Sequence, residues 1–484
     1  MSTTIVELER YEMPVTHLQD ISGLPLAPIS AASSLSREPL DTANVQELPP
    51  VDVGRGAWSF CLAGFVLEAL VWGFGFSYGI FQGKVESHMM ICDLELIEKR
   101  TAYYMSHPPF DKVSHIAIAA VGPTALAIQY AEGLLLSFFY GRYPDYIKRS
   151  MWFGLALSVS CLLLSSLVNQ AWLLIMLQGV GLGTAGGMLY WPVMYLLSDW
   201  FSRRRGLAGG IIYAGTGVGG FAFPLFVNDL LDNVGHRWTL RVIALLQVVI
   251  GGIAIWFIKA RIPAPKFRRG QRRPQFIPPH MRFFKRSHFW TFTATNLLQA
   301  MSYFPVSLYI SIFAESISSP LSATIVLSLF NSSGVVGQIL IGYLSDRFPY
   351  PWIMLASTVG SALAAFLLWG FADTLARVFA FAIIFGGLSG GFSSVTFAAA
   401  VDSANPNPEQ ASTTVSAFYV FKGLAAVLGP ILSGILLDAG QKVTYGPYGK
   451  FGFGSVELFV GTCAVASSVM SILVALTRPR IRVN

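Results

Sequence analysis

The sequence predicts an all-α membrane protein, with twelve transmembrane helices in two six-helix pseudo-repeats. Three observations carry that expectation. The 484-residue chain is 54% hydrophobic and only 12% charged, where a soluble globular protein carries about 25% charged residues. Its mean hydropathy of +0.57 means more apolar surface than a soluble chain of this length can bury. Apolar runs of roughly 20 residues, enough to span a bilayer, follow one another along the sequence, and two unrelated motifs recur at nearly one offset.

Residues 1–56 come first, rich in Ser, acids and Pro (Pro14, Pro25, Pro28, Pro39, Pro49, Pro50). Such a segment buries too little apolar surface to offset its ordering entropy, so it reads as a disordered cytoplasmic tail. It does not read as a secretory signal. Glu7, Glu9 and Glu12 stand where basic residues belong, and no apolar run follows before residue 57. A first half, 57–258, holds spans near 57–81, 114–139, 151–168, 172–197, 206–231 and 240–258. A second half, 289–476, holds spans near 289–314, 322–344, 352–371, 375–401, 412–437 and 456–476. Between them, 259–288 carries ten basic residues, five prolines and no acid. It reads as a solvated cytoplasmic linker, with anionic inner-leaflet lipid as a partner in the sharper reading. Residues 477–484 form a short cytoplasmic C-terminal tail.

Orientation follows from Lys and Arg. With the N-terminus cytoplasmic, the tails and the even-to-odd loops hold 23 of the 33 basic residues. The opposite loops, counted with Arg241 and Arg377 at the span ends beside them, hold nine, and Lys422 lies deep inside a span. Both termini are therefore expected inside. The halves echo each other: Tyr140-Gly141-Arg142-Tyr143-Pro144 follows the second span, and Ser345-Asp346-Arg347-Phe348-Pro349 follows the eighth. Pro224 to Asp232 (PLFVNDLLD) and Pro430 to Asp438 (PILSGILLD) repeat in the same way, at offsets of 205 and 206 residues. Parallel six-span repeats are a transporter architecture, with the binding site at the repeat interface near midplane.

Asp199 to Gly220 reads DWFSRRRGLAGGIIYAGTGVGG. A phosphate-cradling loop would need Lys and Ser/Thr after its last glycine, and a preceding strand. Here apolar spans lie on both sides. Arg203, Arg204 and Arg205 instead mark the cytoplasmic turn between spans four and five, free to pair with Asp199, with helix C-terminal carbonyls or with lipid phosphates.

This stretch resembles the fifth-span signature of monocarboxylate transporters in the major facilitator superfamily. It has Trp200-Phe201, then Arg203-Arg204-Arg205, Leu207-Ala208, Gly210 and Ala214-Gly215. Asp52-Val-Gly54-Arg-Gly-Ala-Trp58 is similar to the family's first-span entry motif, with one residue inserted. Gly75 to Gln82 (GFSYGIFQ) resembles the first-span end of fungal members. Gly342 to Phe348 (GYLSDRF) is similar to the superfamily's loop motif, whose first-half copy has Gly141 in place of Asp. The resemblance covers roughly 52–476 and implies a secondary active transporter working by alternating access. Members that bind carboxylates use a Lys at the end of span one and an acidic–Arg pair in span eight. This sequence has Gln82, Gly334 and Gln338 there.

Ionisable residues at membrane depth cost roughly 2.5–3.5 kcal/mol on insertion scales, and so have a partner or a task. Glu68 and Lys422 stand near midplane, one in each half. They are the candidates for substrate or proton coupling, against a structural ion pair. Glu132 reads as structural. Tyr78, Gln82, Gln178, Asn296, Gln299, Asn331 and Gln338 are candidate cavity residues. Arg142, Asp199, Arg203, Arg204, Arg205, Asp346 and Arg347 are candidates for a cytoplasmic gate. The Asn331 sequon lies within a span and is discounted. Cys61, Cys92, Cys161 and Cys463 form neither a disulfide framework nor a metal spacing. No metal or other cofactor is expected, nor nucleic acid, and the absence of HExxH and of a Cys/His cluster argues against an enzyme. The expected substrate is a small organic acid or related metabolite, with or without protons, carried across the plasma membrane. The alternatives are efflux of a larger secondary metabolite, or a non-transporting nutrient sensor.

Overall fold

In a lipid bilayer every backbone N–H and C=O must be satisfied internally, so apolar runs of this length become helices. The computed structural model describes residues 48–82, 121–263, 273–278, 281–405, 410–440 and 448–479, and at 76–82, 171, 228, 232 and 320 the backbone alone. The helices are α1 (Arg55–Gln82), α2 (Val121–Arg142), α3 (Pro144–Ser165), α4 (Trp172–Trp200), α5 (Arg205–Leu231) and α6 (Asn233–Phe257). They continue as α7 (Ser287–Ile317), α8 (Leu321–Ser345), α9 (Tyr350–Trp369), α10 (Leu375–Ala404), α11 (Ala411–Gly440) and α12 (Gly454–Thr477). Among the described residues, 11 helices are long and apolar enough to cross a membrane, and there is no strand. The remaining helix, α2, is described only from Val121, so the start of the expected 114–139 span lies outside the described residues. So do Cys92, most of the 82–113 loop and most of the N-terminal tail.

Two local features differ from the sequence expectation. No loop separates α5 from α6: helical backbone runs on to Gly235, whose φ of 76° breaks it, a conformation glycine adopts without a Cβ clash. Three helices also carry a π-helical turn, Ile175–Gly181 in α4, Gln247–Gly251 in α6 and Ala364–Trp369 in α9. Pro192, Pro224, Pro305 and Pro430 lie within helices. Spanning helices tolerate such prolines because neighbouring helices satisfy the freed carbonyls.

The outer surface is a lipid surface. Leu62, Leu245, Ile253, Ile435 and Leu476 are exposed. Exposed tryptophans mark both ends of the bundle. Trp152, Trp256, Trp290 and Trp352 lie toward the end bearing the arginine cluster, and Trp172 and Trp238 toward the other. These are interfacial aromatic belts. Small residues let the backbones approach inside the bundle. The first six helices meet the last six along two seams, α5 against α8 and α2 against α11. At the arginine end of the first seam, a Cβ on Gly342 would collide with the backbone of Gly206, and one on Gly210 with the carbonyl of Gln338.

Candidate functional site

Where the seams diverge at mid-depth, a polar cavity opens between the two sets of six helices. Glu68 and Trp72 of α1, Tyr130 of α2, Tyr190 of α4 and Tyr213 and Thr216 of α5 line one side. Gln299 and Tyr303 of α7, Gln338 of α8, Ser389 and Ser393 of α10 and Tyr419 and Lys422 of α11 line the other. About 50 Å³ is open to water-sized occupants. A water takes about 10–15 Å³ on that measure, so the cavity in this form holds a few waters and must widen to admit an organic solute.

Glu68 and Lys422 are both buried, at 3% and 7% exposure, and both face this cavity. They do not touch: among the described residues no ion pair joins them. Each is held by a hydroxyl of its own half instead. Thr216 Oγ1 donates to Glu68 Oε1 at 2.9 Å, and Lys422 Nζ donates to Ser393 Oγ at 2.5 Å. Lys422 also lies over the Tyr419 ring, 5.1 Å from its centroid, a desolvated cation–π contact. The sequence reading did not single out the aromatic cage. Tyr130 stacks on Tyr419 across the seam at 5.8 Å, Trp72 packs on Tyr130 at 5.0 Å and edge-on against Tyr190 at 5.8 Å, and Tyr213 meets Tyr419 at 6.3 Å. The signal was present in the sequence, as tyrosines near the middle of five different spans.

Of the other predicted cavity residues, Gln299 and Gln338 line the cavity. Gln299 Nε2 donates to Ser389 O and Oγ at 2.8 and 2.9 Å, and Gln338 Oε1 accepts no hydrogen bond. Three residues lie elsewhere. Asn296 Nδ2 donates to Phe418 O at 3.3 Å and so ties α7 to α11. Asn331 Nδ2 donates to Gly220 O at 3.1 Å across the α5–α8 seam. Gln178, on the π-turn of α4, lines a separate pocket within the first six helices, with Gln129, Ser158 and Gln247. A glutamine on a spanning helix has the same sequence signature whichever side it faces. Tyr78 and Gln82 lie on α1, and their side chains are outside the described residues. Gly387 to Gly391 (GLSGG) has the spacing of a hydrolase nucleophile elbow. That elbow needs a strand-to-helix turn, whereas Ser389 sits within α10, and no histidine lines the cavity.

The predicted gate residues gather at the arginine end, in roles that differ among them. Asp346, just past α8, reaches across the seam and accepts the N–H groups of Gly206 and Leu207 at 2.7 and 2.8 Å, capping the positive N-terminus of α5. Burial raises its pKa above the ordinary carboxylate value, against the lowering effect of those two donors. Arg205 caps the preceding helix, with Nε to Phe201 O at 2.6 Å. Arg203 and Arg204 are exposed, and Asp199 makes no ion pair among the described residues. Arg142 donates to Tyr143 OH at 3.1 Å, and Arg347 lies over Tyr343 at 4.3 Å. Asp52 is a further member. Its carboxylate accepts Ser202, Arg203 and Arg204 N–H at 2.8, 3.0 and 3.0 Å. Burial acts to raise its pKa, but these backbone donors outweigh it and hold the group below the usual range. Two carboxylates thus share the start of α5, Asp52 from the segment leading into α1 and Asp346 from beyond the seam.

A spanning helical bundle whose two sets of six helices enclose a polar cavity at mid-depth defines an integral, multi-pass membrane transporter. The chain belongs to the Major Facilitator Superfamily, whose family model matches residues 113–318 and 295–483. It is similar to the MFS transporter asaE of Aspergillus flavus, at 26% identity over 90% of this chain and 91% of that one. It is 24% identical to the aspyridones efflux protein apdF of Emericella nidulans, over 87% of this chain and 78% of that one. A fujikurins efflux protein of Gibberella fujikuroi is 25% identical over 90% of this chain and 86% of its own length. Members of this transporter family are not enzymes.

Proposed function

We propose that this transporter exports an organic metabolite larger than a simple monocarboxylate, by rocking of its two six-helix halves in the plasma membrane. On this reading it is a fungal-type member of the monocarboxylate porter group, with both termini and the 259–288 linker cytoplasmic. The observation that carries the proposal is the cavity itself. Tyr130, Tyr190, Tyr213, Tyr303, Tyr419 and Trp72 offer ring faces to a conjugated solute. Lys422 supplies a cation for an acidic group on it, and Gln338 Oε1 is an unused acceptor. The names of two relatives as efflux proteins support the direction. The small-acid alternative has less support, since Gln82 and Gln338 stand where carboxylate-binding members carry charge.

Glu68 and Lys422 then act as the coupling groups. Substrate or a proton engages one of them, and the cage closes or opens accordingly. The arginine end is the cytoplasmic gate, with Asp346 as its cross-seam latch. Comparing metabolites inside and outside cells with and without the gene tests the direction. Deletion should raise the internal and lower the external pool of one compound group, and the opposite shift would refute export. For the coupling role, each charge already has a hydroxyl partner, so each single neutralisation should cost about 1–3 kcal/mol, below the roughly 3–5 kcal/mol of a broken buried ion pair. The double variant Glu68→Gln/Lys422→Met should fold and fail to transport the exported compound. Wild-type rates at every pH would remove both residues from the mechanism.

A further inference from the structure

The second set of helices holds a buried acid that the central cavity does not use. Glu457, in the first turn of α12, is 0% exposed, and neither carboxyl oxygen has a hydrogen-bond partner. Its surroundings are apolar: Phe453, Val456 and Val460 belong to one buried cluster with Phe313 and Trp369. An ionised carboxylate without a partner is prohibitively costly in such a place, so the neutral acid is the form this packing accommodates.

Two further buried polar atoms nearby also lack partners, Tyr448 OH and Trp369 Nε1. Tyr448 packs on Phe371 at 5.2 Å and against Gly370, and Trp369 lies 6.4 Å from Phe453. Both are donors and Glu457 is an acceptor, yet none is joined to another. Trp369 closes the π-turn of α9, and π-turns recur at functional sites. A turn of residues 448–453 lies over the carboxyl. The position of a Cβ on Gly449 is 3.6 Å from Glu457 Oε2. Gly449 N donates to Gly370 O at 2.9 Å. Gly449, Phe451 and Gly452 have φ of 67°, 58° and 78°, and for Phe451 that conformation is strained. The site is at the end of the bundle opposite the arginine cluster.

We propose that Glu457 is a second protonation site of this transporter, separate from Glu68, which exchanges its proton with the side opposite the arginine cluster when the 448–453 turn lifts. The carboxyl O–H bond breaks to give a proton to water on that side and a carboxylate, and the same bond re-forms on uptake. On this proposal Tyr448 and Trp369 become its donors in the charged state; in the packing described here they stand unbonded. The other titratable groups on the packed elements are Lys450 in the turn, Tyr309 and Glu315 on α7, Asp438 on α11 and the Arg377–Asp373 pair beside α9 and α10. Among the described residues none of them hydrogen-bonds Glu457.

Infrared spectroscopy of the full-length protein in lipid vesicles tests this without a known substrate. Wild type and Glu68→Gln should both show a protonated-carboxyl C=O band at neutral pH that fades as pH rises. Glu457→Leu should lack that component and be no less heat-stable, since it forfeits no hydrogen bond. Tyr448→Phe, which removes a donor to the charged form, should move the midpoint of fading to higher pH. An unchanged band in Glu457→Leu, a band indifferent to pH, or an unmoved midpoint in Tyr448→Phe would each overturn the proposal.

Discussion

Asp52 and Asp346 cap the same helix start, and burial weighs differently on the two. Three backbone donors overcome burial at Asp52 and hold it below its ordinary 3.8, so the carboxylate contributes stability that is fully present above that value and is lost as pH falls through the depressed one. At Asp346 burial outweighs two donors and raises the group above 3.8. In the latch role proposed for Asp346, a proton would bind more readily with the carboxyl docked than released, so acidification is expected to favour closure. Asp52→Ala should cost about 0.5–2 kcal/mol, the usual effect of losing an N-cap. It should also remove Asp52's own share of the acid-induced loss of thermal stability below pH 3.8. Melting curves of wild type and variant in detergent at several pH values check both, and parallel pH profiles would show that Asp52 does not fasten the start of α5. The bonding of these carboxylates was not legible in the sequence. Asp52 was legible there only as part of a motif, and among the described residues Arg205 alone of the three arginines fastens a carbonyl by its side chain.

In the rocking motion proposed above, α5 and α8 are the elements that would separate, and their contact at the arginine end is made by backbones. Gly206, Gly210 and Gly342 leave no room for a Cβ between them. Van der Waals contact of this kind, without a hydrophobic drive between the helices, is how spanning helices associate. Gly342→Leu should therefore wedge α5 from α8 and bias the protein toward the form open at that end, at a cost of about 1–3 kcal/mol for overpacking. Spin labels at the exposed Ser202 and Arg347 positions should report a longer distance in the variant. An unchanged distance distribution would mean that the seam is not the moving contact. The sequence displayed these glycines plainly as a Gly-rich span, but not which neighbour each approaches.

For the whole molecule, orientation rests on the basic residues. The segment leading into α1, the arginine turn and the start of the linker are already fastened together. Asp52 N donates to Trp200 O, Arg261 Nε to Pro49 O and Trp200 Nε1 to Lys259 O. Further along the linker, Arg273 pairs with Asp145 at the start of α3 at 2.8 Å, and Phe276 packs on Phe138. These linker segments are therefore fastened to the first six helices. Epitope tags at both termini should be reachable in sealed cells only after permeabilisation. Labelling of either one from outside would reverse the orientation.

The all-α character and eleven of the twelve expected spans were legible because they depend on local quantities, namely the length of an apolar run and the residues that end it. The mid-helix positions of Glu68 and Lys422 were legible for the same reason, since position along a helix is a count of residues. Rotation about the helix axis is not such a count. Tertiary packing alone decided that Glu68 and Lys422 share a cavity without touching, that Gln299 and Gln338 face it while Gln178, Asn296 and Asn331 do not, and that five tyrosines from separate spans form one cage. A helix with apolar neighbours on every side gives its sequence no amphipathic stripe from which to read the inward face. That face is fixed only when small residues on one helix meet the backbone of another.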